Sequence, residues 1–239
     1  MSQELKEKEI HQESALENPE VLVEKLSSFE TYLEKNSKTL GGIVALIVLV
    51  IGGYFGYRWY LNQENQEAEK EIFNAIYQFE QDSLKLALNG DGKSMVGFLS
   101  VAEDYGSTKA GKLAHFYIGA IYLKQGKFQE AIDHLKEYNG NDVLVSARAS
   151  SLIGDAYTEL KDNESALEYY KKAALHAPNK FFSPRYLMKA ALAQELMGKF
   201  ADAINTYDQV TTKYFDSQEA ADAKKFKARL EQMVAQGAK

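Results

Sequence analysis

The chain has no cysteine, which excludes a disulfide framework, a thiolate metal site and a cysteine nucleophile. This does not decide the compartment, because a large core is stable on either side of a membrane without disulfides. Only 3 of the 239 residues are proline, so long helices are rarely interrupted. Clusters of basic residues are missing as well. With a formal charge of −6 and a pI near 5.4, the chain lacks the concentrated Lys and Arg needed to neutralise nucleic-acid phosphates. There is no Walker loop, GxGxxG or GxSxG. The four histidines, His11, His115, His134 and His176, are far apart in sequence and none has a ligand-spaced partner. Carboxylate pairs such as Glu159 and Asp162 read as surface charge and not as an acid/base couple. No catalytic residue, cofactor or metal is expected. What remains is rich in Ala, Leu, Glu and Lys, is 45% hydrophobic and has 15 tyrosines suited to packing between helices. That composition predicts an all-α protein.

Residues 1–17 are polar and read as a disordered leader. Asn18 and Pro19 form a helix-start pair, a capping side chain followed by a residue with preset φ. Behind them Leu22, Leu26, Phe29 and Leu33 recur at helical spacing, which predicts a short amphipathic helix over 18–38 on the cytosolic side.

From Leu40 to Tyr57 the sequence LGGIVALIVLVIGGYFGY carries no charge, and 18 helical residues reach about 27 Å. Lys35 and Lys38 flank one end; Arg58, Trp59 and Tyr60 flank the other. The expectation is a transmembrane helix over 39–61. A cleaved signal peptide would not carry a long acidic leader and would end in small residues, where this segment ends in aromatics. Lys25, Lys35 and Lys38 before the segment, against Arg58 and Lys70 after it, place the N-terminus in the cytoplasm and the C-terminal domain in the periplasm. Gly41, Ala45, Gly52 and Gly56 fall within about 60° of one another around the helix. Such a stripe of small residues could dock another transmembrane helix.

The remainder, 62–239, repeats itself. LAHFYIGAIYLKQGKFQEAIDHLKEY, from Leu113 to Tyr138, is echoed from Ala149 to Pro178, with Gly119 and Gly154, Tyr122 and Tyr157, and Ala131 and Ala166 each 35 residues apart. A third copy runs from Tyr186 to Val210 and places Ala203 37 residues beyond Ala166. Ser94 lies 37 before Ala131, and FLSVAEDY, from Phe98, reads like YDQVTTKY, from Tyr207. This predicts a degenerate repeat over 62–111, repeats over about 112–146, 147–183 and 184–216, and a capping helix over 217–236. In that last helix Ala220, Ala223, Phe226, Leu230 and Val234 line one side. The spacing of Gly154, Tyr157, Ala166, Tyr170, Ala173 and Pro178 resembles the tetratricopeptide-repeat family, which implies two antiparallel helices per unit stacked as an α-solenoid. The first full copy has Val143 in place of the terminal proline. The third has Ala191 and Gln194 where the family has glycine and tyrosine.

In such arrays the first helix of each unit faces a concave, protein-binding surface. The family's spacing puts Leu113, Phe116, Ala120 and Leu123 there, then Arg148, Ser151, Asp155 and Thr158, then Arg185, Met188, Leu192 and Glu195. An apolar end could receive extended chains, and Arg148 and Arg185 could hold acidic groups or carbonyls. The alternative is that Leu113, Phe116 and Leu123 are covered by an upstream helix around Ile72, Phe73, Ile76 and Phe79. His115 occupies a packing position between helices.

The whole layout resembles the YfgM-type family of bacterial inner-membrane proteins: a short leader, a span ending YFGYRWY, then FLSVAEDYGSTKAGKLAHFYIGAIYLKQGKFQEAI. That resemblance implies a single-pass accessory subunit of the SecYEG export channel. Its implied partners are a membrane-anchored periplasmic chaperone of the prolyl-isomerase class, emerging secretory client proteins and the lipid bilayer. Two other readings stay open: a scaffold for another envelope or secretion assembly, and a self-associating regulator.

Overall fold

The computed structural model describes residues 19–176 and 178–237. The 1–17 leader, Asn18 and the side chain of Leu22 lie outside the described residues. The chain divides between Tyr60 and Leu61 into two compact units.

The first unit holds helix α1, Pro19–Lys35, and the start of α2, Ser37–Glu80. Proline suits the first position of α1, where no backbone N–H is needed. Asn36 separates the helices, and its side-chain amide donates to the Tyr32 carbonyl at 2.9 Å. Leu26, Phe29 and Leu33 on α1 are exposed. One stretch of α2 is long and apolar enough to cross a membrane, and none of its most apolar 18-residue window is buried. Ala45 is exposed, and a Cβ added at Gly41, Gly52 or Gly56 would meet no atom within 4 Å. The small-residue stripe therefore meets no other side chain among the described residues.

The second unit is built from helix pairs. After the end of α2 come two short helices, α3, Leu84–Asn89, and α4, Phe98–Asp104. Three hairpins follow: α5 and α6, Lys109–Lys124 and Phe128–Glu137; α7 and α8, Val143–Glu159 and Asn163–His176; α9 and α10, Ser183–Leu196 and Phe200–Lys213. Helix α11, Ala220–Gly237, ends the stack. No strand occurs among the described residues, where the sole extended pairing is the bridge between Gly90 and Val96. The fold is an all-α solenoid preceded by a long apolar helix.

Each hairpin is closed by the same device. The N–H groups of Lys127, Asp162 and Lys199 reach back five residues to the carbonyls of Tyr122, Tyr157 and Gln194, each at 2.9 Å. The residue before each donor is left-handed: Gly126, φ 75°, Lys161, φ 64°, and Gly198, φ 71°. That backbone satisfies the last carbonyls of the first helix and turns the chain through a tight corner. Glycine enters the conformation at little steric cost; Lys161 adopts it where the middle hairpin has no glycine.

The first repeat departs from a simple hairpin. Ser94, aligned with Ala131 by its 37-residue offset, lies in a turn and not in a helix. The cause is local. The Asp91 carboxylate accepts from the backbone N–H groups of Lys93, Ser94 and Met95, all at 2.8 Å, which holds its pKa well below the usual carboxylate range. Gly90 and Gly92 on either side have positive φ. The turn breaks what would be one helix into α3 and α4. Pairing resumes at α4: Phe98 and Val101 are fully buried like their counterparts Tyr207 and Val210. Both segments also close alike, with Tyr105 N–H donating to Val101 and Tyr214 N–H to Val210, each at 3.1 Å.

The core forms where small residues let paired helices approach. A Cβ at Gly119 would sit 2.5 Å from Leu135 Cγ, and one at Gly154 2.6 Å from Tyr170 Cε1. The third hairpin uses Ala191, itself fully buried. Gln194, standing where the family has tyrosine, is buried and accepts from Thr206 Oγ1 at 2.8 Å. In α11, Ala223 and Leu230 are buried against α10, but Val234 is exposed. The apolar stripe read there therefore loses contact near its end.

Replacing Gly154 by leucine forces α7 away from α8 at the Tyr170 ring, at an expected cost of about 1–3 kcal/mol or more. Thermal unfolding of Gly154→Leu at unchanged temperature would count against this packing.

Candidate protein-binding groove

The first helices of the hairpins, α5, α7 and α9, carry all twelve residues expected on the inner face, but their surroundings differ. Leu113 packs into the cluster formed with Ile72, Ile76 and Phe79 of α2, so at this position the upstream helix covers the surface. Phe73 is exposed and takes no part in that covering. Phe116 and Leu123 pack instead into the cluster that joins Ile132 and Leu135 of α6 to Ile153 of α7. Ala120 is half-buried, and Met188 joins the cluster of the last hairpin.

Two depressions mark this face. One, of ≈ 230 Å³, is bounded by Phe116 of α5, Leu144, Ala147 and Arg148 of α7, and Phe182 and Tyr186 at the start of α9. Its walls are almost entirely apolar. Leu144 and Phe182 are exposed lips, whereas Ala147 and Tyr186 are buried beneath them. The Asp142 side chain starts α7 by accepting from Leu144 N–H and Val145 N–H at 2.9 Å. Asn179 Oδ1 holds the entry to α9 by accepting from Phe181 N–H at 3.0 Å and Phe182 N–H at 2.8 Å. One lip is thus set by the capped start of α7 and the other by the Asn179 turn that leads into α9.

The other depression, of ≈ 500 Å³, has polar walls that include Lys124, Asp155, Thr158, Glu159 and Tyr170. Here the side chains satisfy one another. Lys189 of α9 donates to both Asp155 oxygens at 2.7 Å and to Ser151 Oγ at 3.3 Å. Tyr170 O–H donates to Asp155 Oδ1 at 2.8 Å, and its oxygen lies 3.0 Å from Thr158 Oγ1. Burial is the main reason that the Tyr170 phenol is pushed well above its ordinary pKa. Ser151, Asp155 and Thr158 therefore serve first as a joint between hairpins, with half-buried charges whose hydrogen bonds strengthen each other. Lys189 could not be foreseen as the partner, since 34 residues separate it from Asp155.

The same one-repeat interval recurs along the stack. Arg185 pairs with Glu219 at 3.5 Å, 34 residues on. Glu195 accepts from Tyr207 O–H at 2.6 Å and pairs with Arg229, again 34 residues away. Helix α11 thus takes the place of a first helix in a further repeat. Arg148 has no ion-pair partner among the described residues.

The histidines require a correction. His115 and His134, 19 residues apart, are brought together across α5 and α6 with their Nδ1 atoms 3.1 Å apart and rings 5.3 Å between centroids. Sequence spacing hid this because the two residues lie on facing helices. A hydrogen bond at that distance requires one ring to donate and the other to accept, so the accepting ring is neutral. Burial lowers both pKa values; for His134 the neighbouring His115 adds to the lowering, while Asp133 and Glu137 oppose it. No third metal-ligating side chain joins them among the described residues.

Residues 118–180 and 185–217 each match a model described as tetratricopeptide repeat. The stack is therefore a tetratricopeptide-repeat array, a class of protein-interaction scaffold. Among curated proteins, the chain is similar to the uncharacterized protein ycf37 of Guillardia theta, 27% identical over 128 residues that make up 52% of this chain and 70% of that relative.

Because the folded imidazoles resist protonation, an unfolded chain takes up protons first as pH falls through about 6.5. The histidine pair thus contributes stability above that pH and loses it below. The melting temperature of the wild type should fall more steeply between about pH 7 and pH 5 than that of His134→Gln; parallel pH profiles would exclude a stabilising neutral pair.

Proposed function

We propose that this protein is a membrane-anchored binding scaffold of the bacterial inner membrane and an accessory subunit of the SecYEG translocon. In this reading the array links the channel to a periplasmic chaperone and to emerging secretory chains. The observation that carries the anchor is the apolar stretch of α2, 18 residues of which no part is buried. A helix with this much uncovered apolar surface is suited to the hydrocarbon core of a bilayer, where its backbone bonds are satisfied internally. The lysines before it favour a cytoplasmic N-terminus and a periplasmic array.

Gly41, Ala45, Gly52 and Gly56 form a face without a partner among the described residues, which suits close docking of another transmembrane helix. The depressions on α5, α7 and α9 supply a second, separate surface for the soluble partner. An anchored scaffold needs both surfaces. The assignment to the translocon rests on the resemblance to YfgM-type proteins. A scaffold for another envelope or secretion assembly would use the same two surfaces for a different complex.

Affinity purification of the full chain from gently solubilised membranes separates these readings. Recovery of channel subunits with a periplasmic chaperone at near-stoichiometric amounts is expected. Gly52→Leu with Gly56→Leu should lower recovery of the membrane partner by about tenfold while leaving the array folded. Recovery of a different envelope complex would replace the translocon reading, and an unaffected double variant would remove the small-residue face from it.

A further inference from the structure

We infer that the apolar depression at the starts of α7 and α9 receives an extended segment of a partner protein bearing a bulky apolar side chain next to a carboxylate. This rests on the reading of the array as a protein-binding scaffold and states the chemistry of its ligand. The argument comes from a break in the ion-pair pattern. Three charged residues on the first helices are answered one repeat later: Asp155 by Lys189, Arg185 by Glu219, Glu195 by Arg229, each 34 residues on. The same step from Arg148 arrives at Phe182.

An exposed guanidinium is thus left without an anion, beside an aromatic side chain that is itself 39% exposed. Between them lies the ≈ 230 Å³ depression, floored by Ala147 and Tyr186 and closed on its other side by Phe116 and Leu144. Its apolar walls have room for a large side chain. Filling it would remove Leu144 and Phe182 from water, and its rim presents one unpaired cation suited to bidentate contact with a carboxylate. The neighbouring polar depression offers no equivalent, since the cation on its wall, Lys124, is already paired with Asp82. Apolar contact supplies attraction, and Arg148 selects sequences in which the apolar residue has an acidic neighbour.

The test uses the full chain in nanodiscs and fluorescein-labelled peptides of Gly and Ser with a central Phe-Glu, Phe-Gln, Phe-Lys or Gly-Glu pair. The Phe-Glu peptide should bind about tenfold more tightly than the other three. Arg148→Glu should reverse the preference to Phe-Lys, and Phe182→Ser should weaken every phenylalanine peptide. Both positions are exposed, and circular dichroism checks that each variant stays folded. Equal binding of Phe-Glu and Phe-Lys, or an Arg148→Glu variant with unaltered preference, would overturn the inference. So would absence of peptide binding while a partner complex still co-purifies with the full chain; that result would leave the scaffold reading standing. If Arg148→Glu reverses the peptides but nothing co-purifies, the groove chemistry holds and the translocon reading fails.

Discussion

Everything in the second unit depends on how closely the two helices of each pair can cross. At Gly119 and Gly154 the missing Cβ lets Leu135 and Tyr170 lie against the opposite backbone. A side chain there would hold the helices apart and displace the residues that fill the spaces between successive hairpins. Once the crossing is close, the turn length is constrained, and three hairpins close with the same backbone bond. The repeat interval follows, and with it the position of every side chain that reaches from one hairpin to the next.

That interval organises the electrostatics. A stack built by near-identical steps brings residues one repeat apart to the same height on adjoining helices, so an acid and a base separated by 34 residues can meet. Where the pattern is satisfied, as around Asp155, the inner face acts as a joint between hairpins. Where it fails, at Arg148, the surface keeps an unanswered charge beside exposed apolar lips. One helix face thus holds both paired and unpaired charges, divided by which residues stand one step further along.

The two units use small residues differently. Within the array Gly119 and Gly154 are filled by partners in the same chain; in α2, Gly41, Gly52 and Gly56 face open space. The first arrangement is a completed contact. The second is a surface that no other described residue fills.

The class of fold was legible in the sequence because it rests on local quantities: uninterrupted helix-forming composition, an apolar run, and small and aromatic residues recurring every 35 to 37 positions. Periodicity also placed Ser151, Asp155 and Thr158 on one helix face, since residues three and four apart share a side. It failed at Ser94, where the Asp91 turn overrides the repeat offset through three backbone hydrogen bonds that only that local geometry provides. Pairing across helices was beyond its reach. The repeat interval says that Lys189 and Asp155, or Arg229 and Glu195, stand one unit apart, but whether they meet, like the meeting of His115 and His134, depends on the angle and rise between helices. By itself the sequence determined the helices, their order and their repeat. Which polar groups are spent on one another, and which are left facing solvent, was decided only when close packing set the helices side by side.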